Sequence, residues 1–205
     1  MATMHLTTPH AELTFIHITK TGGTSVTHWL DELPNITSYK KWKHHESSEM
    51  LVQDNHVSPF IFTVVRNPWD RVVSGYHYLT QRKGMYFPKS HDYFWETVEK
   101  LTGNTDLSFD DWVKYLPEFK MHPNDWSSAG TPQSDYIRPG IDHVVKFESI
   151  DSDFVVVQEL CNDFRPLPKT NESQRDLHHG YYSDANRMLV AKMFEKDIDL
   201  WKYSF

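Results

Sequence analysis

The stretch Leu13–Ser25, LTFIHITKTGGTS, decides how the rest of the chain is read. Leu13 to Ile18 is a short β-prone run, followed at once by a loop with two adjacent glycines. From Thr24 to Leu33 the apolar residues Val26, Trp29, Leu30 and Leu33 recur at helical spacing. The predicted order is strand, loop, helix.

A second unit of the same kind starts at Phe60–Val65, FIFTVV, which is apolar enough for a strand buried on both faces. It runs into a predicted helix from Pro68 to about Thr80. Asn67 suits the cap, Pro68 suits the first helical position, and Asp70 puts a negative charge in the first turn, where the helix dipole favours it. Val144 to Phe147 reads as a third strand. Phe154, Val157, Leu160, Cys161 and Phe164 mark one helix, and Val190, Phe194, Ile198 and Trp201 mark another, capped by Ser183. Strands alternating with helices predict an α/β fold whose central, mainly parallel sheet is flanked by helices. Residues 83–139 differ, mixing aromatics, Pro, Gly and polar residues without a long clean period. They read as an insertion or long loop region, with a short helix over Phe109 to Leu116, in a chain otherwise taken as one domain spanning residues 1–205.

The 205 residues are enough for one domain with a proper core, and 39% hydrophobic content with seven Trp excludes the disordered class. Lys plus Arg number 21 against 28 Asp plus Glu, a net charge of −7. That balance argues against a nucleic-acid partner held by broad phosphate neutralisation, so any anion site must be local. The single cysteine, Cys161, allows no internal disulfide and no cysteine-based zinc cluster. It fits a reducing compartment and reads as a small buried hydrophobe. The N-terminus has no basic segment leading into an apolar one, and no apolar run is of spanning length. The expectation is a soluble, cytoplasmic chain with no membrane partner.

Chemistry concentrates in two places. In Thr19–Ser25, TKTGGTS, successive backbone N–H groups at a helix N-terminus are suited to surround an anion. Gly22 and Gly23 let the backbone approach closely, Lys20 adds a mobile positive charge, and Thr21, Thr24 and Ser25 add hydroxyl donors for a phosphate or sulfate. The bland alternative is a plain Gly-rich turn. The pattern is not Walker A, because its lysine precedes the glycines, and it lacks the three spaced glycines of the dinucleotide fingerprint. In the second place, VVRNPWDRVVSGYHY, Arg66 leaves the strand end and Ser74 follows eight residues later, about two helical turns along. Arg66 is suited to fork around a phosphate to which Ser74 donates; the competing reading pairs Arg66 with Asp70 and leaves Ser74 a small helix residue.

Together the two segments make the chain resemble the sulfotransferases that use 3′-phosphoadenosine 5′-phosphosulfate (PAPS), and within them the carbohydrate (heparan and chondroitin type) branch with its bacterial and viral relatives. The resemblance extends through QSDYI (133–137), DHVVKFE (142–148) and the C-terminal tail. It implies a three-layer, P-loop-like sandwich. It also implies a first loop of Lys20, Thr21, Gly22, Gly23, Thr24 and Ser25 for the 5′-phosphosulfate, and Arg66 and Ser74 for the 3′-phosphate. Asn171 and Ser173 fall where relatives close a loop over the nucleotide. The implied reaction moves a sulfuryl group to an acceptor, a carbohydrate or another small molecule, and leaves 3′-phosphoadenosine 5′-phosphate (PAP). Lys20 fits the role of leaving-group stabiliser. His44 and His45, in KHHESSEM, are the candidate bases; the register is ambiguous by one residue, with His45 preferred. Thr19 stands where the family commonly has Pro, and Trp201-Lys202 where relatives often have Phe-Gly.

Two other classes stay open, a P-loop phosphotransferase or kinase and a non-catalytic nucleotide-binding module. No metal is expected: His45-Glu46 opens HExxE rather than the HExxH zinc helix, and His178-His179 reads as a chance pair among 13 His. Trp42, Trp69, Trp112 and Trp126 are candidates to stack on adenine or sugar, with core packing as the alternative.

Overall fold

The computed structural model describes residues 3–41, 60–81, 90–121, 130–137, 140–170 and 176–205. The chain divides into two compact units, one of Met1–Arg66 with Gln133–Glu172 and the other of Asn67–Pro132 with Ser173–Phe205.

The first unit is mixed α/β, a five-stranded sheet flanked by helices. Its strands are β1 (Met4–Thr7), β2 (Glu12–Ile16), β3 (Ser38–Lys41), β4 (Phe60–Val65) and β5 (His143–Lys146), in the spatial order β3-β1-β2-β4-β5. β2, β4 and β5 run parallel, the relation expected of strands joined by helical crossovers. β1 pairs antiparallel with both β2 and β3, so the sheet carries an antiparallel margin beyond the three strands expected from sequence. β3, SYKK, is mostly exposed, and its two lysines suit an edge that must not recruit another strand.

Helix α1 (Gly23–Asp31) lays Val26, Trp29 and Leu30 against the sheet residues Leu6, Leu13, Phe15, Phe62 and Val64. Phe15 stacks on Phe62 with centroids 5.1 Å apart, and Trp29 meets Phe154 edge-on at 5.0 Å while its indole N–H donates to the Arg165 carbonyl. The helix expected around Phe154–Phe164 is two short ones, α5 (Ile150–Asp153) and α6 (Val155–Cys161). The second ends at Asn162, whose φ of 52° turns the backbone left-handed, so Phe164 lies beyond the helix and is exposed. Cys161 is buried as expected, and burial first, then the nearby Asp163 charge, pushes its thiol up to about 12.

The second unit is helical: α2 (Pro68–Thr80), α3 (Ser90–Thr102), α4 (Phe109–Tyr115), α7 (Asp184–Met193) and α8 (Glu195–Trp201). α2 has the expected bounds, and the Asn67 side chain accepts the Trp69 N–H as the cap. Residues 83–139 are less loop-like than their composition suggests. α3 and α4 lie within them, and Phe94, Val98, Leu107, Trp112, Val113 and Leu116 are core residues. The final helix is interrupted at Phe194, although Ser183 caps its start through the Asn186 N–H. Trp69 and Trp112 are buried here with their indole N–H groups on the Arg187 and Val72 carbonyls, so both are core rather than ligand platforms. Trp42 and Trp126 lie outside the described residues.

Among the described residues no helix is long and apolar enough to cross a membrane, and no group of His, Cys, Asp and Glu is arranged to hold a metal ion.

Candidate functional site

In open parallel sheets, ligands bind beyond the carboxyl ends of the strands. Here β2, β4 and β5 lie side by side in parallel, and their carboxyl ends lead directly into the TKTGGTS loop, Arg66 and Phe147.

The loop is wound tightly. Lys20 and Gly22 take positive φ values of 65° and 85°, and Gly22 stands at the cap position of α1. It has no side chain with which to cap the helix, so the first-turn amides are not covered by their own cap residue. The two glycines are required for different reasons. A Cβ on Gly22 meets Cδ2 of Phe147 at 2.6 Å, in a backbone conformation that L side chains rarely adopt. A Cβ on Gly23 runs into the His17 ring, which is buried and stacked on Phe15 at 5.4 Å. Thr21 is fully buried and its hydroxyl donates to the Ile18 carbonyl at 3.0 Å, closing the turn from inside. Thr21 therefore shapes the loop through its side chain, a narrower role than the hydroxyl donor expected from sequence. Ser25 N–H donates to Gly22 O, and its hydroxyl shares a hydrogen bond with that of Thr170 at 3.0 Å. Lys20, Thr24 and Ser25 are each partly exposed.

Arg66 is buried at the end of β4. Its Nη1 donates to the Lys20 carbonyl at 3.2 Å, and its guanidinium carbon lies 4.0 Å from the centre of the Phe147 ring. The structure thus brings the first loop and Arg66 together. The Gln133 side chain bonds both main-chain polar groups of Arg66, with Oε1 accepting its N–H and Nε2 donating to its carbonyl, each at 2.8 Å. Beyond β5, Oδ2 of Asp153 accepts the Lys146 N–H at 3.0 Å and the Ser149 hydroxyl at 2.8 Å, which fixes the turn that carries Phe147. Burial raises the Asp153 pKa, but these bonds, the Ser152 hydroxyl and the neighbouring His143 outweigh it and hold the carboxyl below its ordinary value.

Ser74 is partly exposed in α2 of the helical unit. His44, His45, Asn171 and Ser173 lie outside the described residues. His17, Gln133 and Phe147 carry no site role in the sequence reading, although Gln133 opens the QSDYI stretch and Phe147 lies in DHVVKFE, both part of the resemblance. The available signal was positional for Phe147, the first residue after the third parallel strand, whereas Gln133 reaches Arg66 only through the fold.

A Gly-rich loop at a helix N-terminus stands beside a buried arginine at the ends of adjacent parallel strands, an arrangement whose chemistry suits an anionic group. A model of the sulfotransferase family matches residues 4–204, and the chain belongs to that family. Searches of curated proteins and of solved structures returned no match.

Proposed function

We propose that this chain transfers a sulfuryl group from PAPS to an acceptor hydroxyl, with a carbohydrate as the acceptor class, on a three-layer, P-loop-like sandwich. The observation that supports the reading is the contact between Arg66 and the Lys20 carbonyl, which sets a buried arginine against the Gly-rich loop. In this reading Lys20, Thr21, Gly22, Gly23, Thr24 and Ser25 form the loop around the 5′-phosphosulfate. Arg66 and Ser74 take the 3′-phosphate, and Asn171 and Ser173 close over the nucleotide.

The reaction is an in-line displacement at sulfur. The acceptor oxygen forms a bond to sulfur as the bond from sulfur to the bridging phosphate oxygen breaks, and PAP leaves with the electron pair. The acceptor proton passes to His45 or, in the alternative register, His44. Negative charge grows on the bridging oxygen during this step, so a lysine ammonium beside it stabilises the transition state more than the bound donor.

The test has two stages. Wild-type chain and Arg66→Ala are titrated by thermal shift with PAP, with Mg-ATP and with inorganic sulfate. Stabilisation by PAP that Arg66→Ala loses is the expected result; a preference for Mg-ATP overturns the reading in favour of a phosphotransferase. Lys20→Ala is then compared with wild type in turnover and in donor affinity. Loss of one such transition-state donor is expected to lower kcat by about 100- to 1000-fold with a much smaller change in affinity. Equal losses in both indicate a binding module that holds the nucleotide without using the charge in catalysis.

A further inference from the structure

Arg66 is held at its main chain by Gln133 and at its guanidinium by Phe147, two residues that have no assigned part in the reaction. Gln133 is fully buried, and its carboxamide bonds both main-chain polar groups of Arg66, Oε1 accepting the N–H and Nε2 donating to the carbonyl. Pairing between β4 and β5 runs to Val65 opposite Lys146, so Arg66 is the first residue past the ladder. Gln133 supplies there what a neighbouring strand would otherwise supply, a donor and an acceptor in register. Phe147 works on the other end of the side chain. Its ring faces the guanidinium at 4.0 Å and occupies the space where a Gly22 Cβ would stand, 2.6 Å from Cδ2. One ring therefore sets the distance between Arg66 and the Gly-rich loop.

We propose that Gln133 and Phe147 are positioning residues that make the site selective for a 3′-phosphorylated nucleotide, by fixing the Arg66 guanidinium before the ligand arrives. The proposal rests on the reading of Arg66 as the 3′-phosphate residue. An arginine free to rotate loses its rotamer freedom on binding, and that loss weakens the complex. An arginine anchored at its main chain by Gln133 and at its guanidinium by Phe147 and the Lys20 carbonyl has already lost it. The benefit falls only on a ligand that touches Arg66. It should appear in PAP, which carries the 3′-phosphate, and not in adenosine 5′-phosphate, which does not.

The experiment measures Kd for PAP and for adenosine 5′-phosphate by calorimetry in wild type, Arg66→Ala, Gln133→Ala, Phe147→Leu, Phe147→Tyr and the double variant Arg66→Ala/Gln133→Ala. Wild type is expected to prefer PAP, and Arg66→Ala to lose most of that preference. Gln133→Ala and Phe147→Leu should each weaken PAP by up to about 10-fold, the size of one rotamer-rich side chain ordered on binding, and leave adenosine 5′-phosphate essentially unchanged. Phe147→Tyr keeps a ring face and should keep the preference. In the Arg66→Ala background, Gln133→Ala should cost PAP nothing further, because its effect passes through the arginine. If Gln133→Ala weakens both nucleotides alike, or adds its full loss to that of Arg66→Ala, the positioning role is overturned while the 3′-phosphate reading stands. If wild type binds both nucleotides equally, the reading of Arg66 fails and the proposal with it. Should Gln133→Ala not fold, the Phe147→Leu and Phe147→Tyr pair decides the matter: equal preference in the two overturns the clamp.

Discussion

The strand unit and the helical unit both seat a buried tryptophan on a main-chain carbonyl, Trp29 on Arg165 in the first, but they differ in how far that device is used and in where side chains are left out. In the helical unit, polar aromatics point their donors at main-chain carbonyls: Trp112 to Val72, Trp69 to Arg187, Tyr182 to Trp69 and Tyr76 to Leu107. Each ring contributes apolar area and satisfies a carbonyl at once, so the helices are locked by their largest side chains. In the strand unit the decisive positions are those with the least side chain. Gly22 and Gly23 let Phe147 and His17 approach the main chain of the loop proposed to hold the donor's anionic group. Stability in the one region is a matter of filled volume, and the function proposed for the other turns on volume left out.

Substitutions that exchange these properties test the contrast. The largest stability change is expected for Trp112→Ala, which empties a fully buried site and leaves the Val72 carbonyl without its indole partner. Loss of about 3–5 kcal/mol is expected from urea unfolding, with the PAP preference of the folded protein unchanged well below the melting transition. A collapse of ligand preference at temperatures where Trp112→Ala is folded would break the comparison.

Gly23→Ala is expected to do the reverse. Its added methyl group meets the buried His17 ring, and overpacking of this kind costs about 1–3 kcal/mol. Because the atoms that must move form the loop proposed to hold the donor, PAP affinity is expected to fall by a comparable free energy, about 5- to 150-fold. Near-wild-type titration curves would show that the loop does not depend on that close approach.

A smaller effect sharpens the account of β5. Asp153 has a depressed pKa, so its contribution to stability is present above the unfolded-state value of about 4 and is lost as pH falls through the lower folded-state value. Asp153→Asn is expected to lower stability by about 1 kcal/mol at pH 7, and the gap from wild type should close at the acid end. Urea midpoints at neutral pH and near pH 3 measure this; a gap that widens with acid would contradict the sign.

Much of this was legible beforehand, and the reasons are local. β4 is a continuous apolar run, and Asn67-Pro68 marks the start of α2 by residue chemistry alone, so both were read with their correct bounds. β1 and β3 are hard to see in the sequence because each is four residues long: MHLT alternates buried Met4 and Leu6 with polar residues over too short a run to stand out, and SYKK is mostly exposed. α3 was missed for a related reason: Phe94 and Val98 stand four residues apart among charged neighbours in a stretch with breakers on either side. The interruption at Phe194 was hidden because Val190, Phe194, Ile198 and Trp201 keep helical spacing across it. Of the site, the Gly-rich loop and Arg66 declared themselves by residue type and order. The Gln133 clamp did not, since nothing in a glutamine's surroundings along the chain says which main-chain group 67 residues away it will bond.

Lys20 holds a φ of 65°, a conformation that glycine enters freely and lysine does not. An engineer seeking only a hardier protein would therefore put glycine at this position and expect about 1 kcal/mol in return. That same change deletes the ammonium proposed to meet the leaving phosphate. Lys20→Gly is thus a single exchange in which the melting temperature should rise while turnover collapses, and the two readings together give the value of the charge in units of the strain it tolerates.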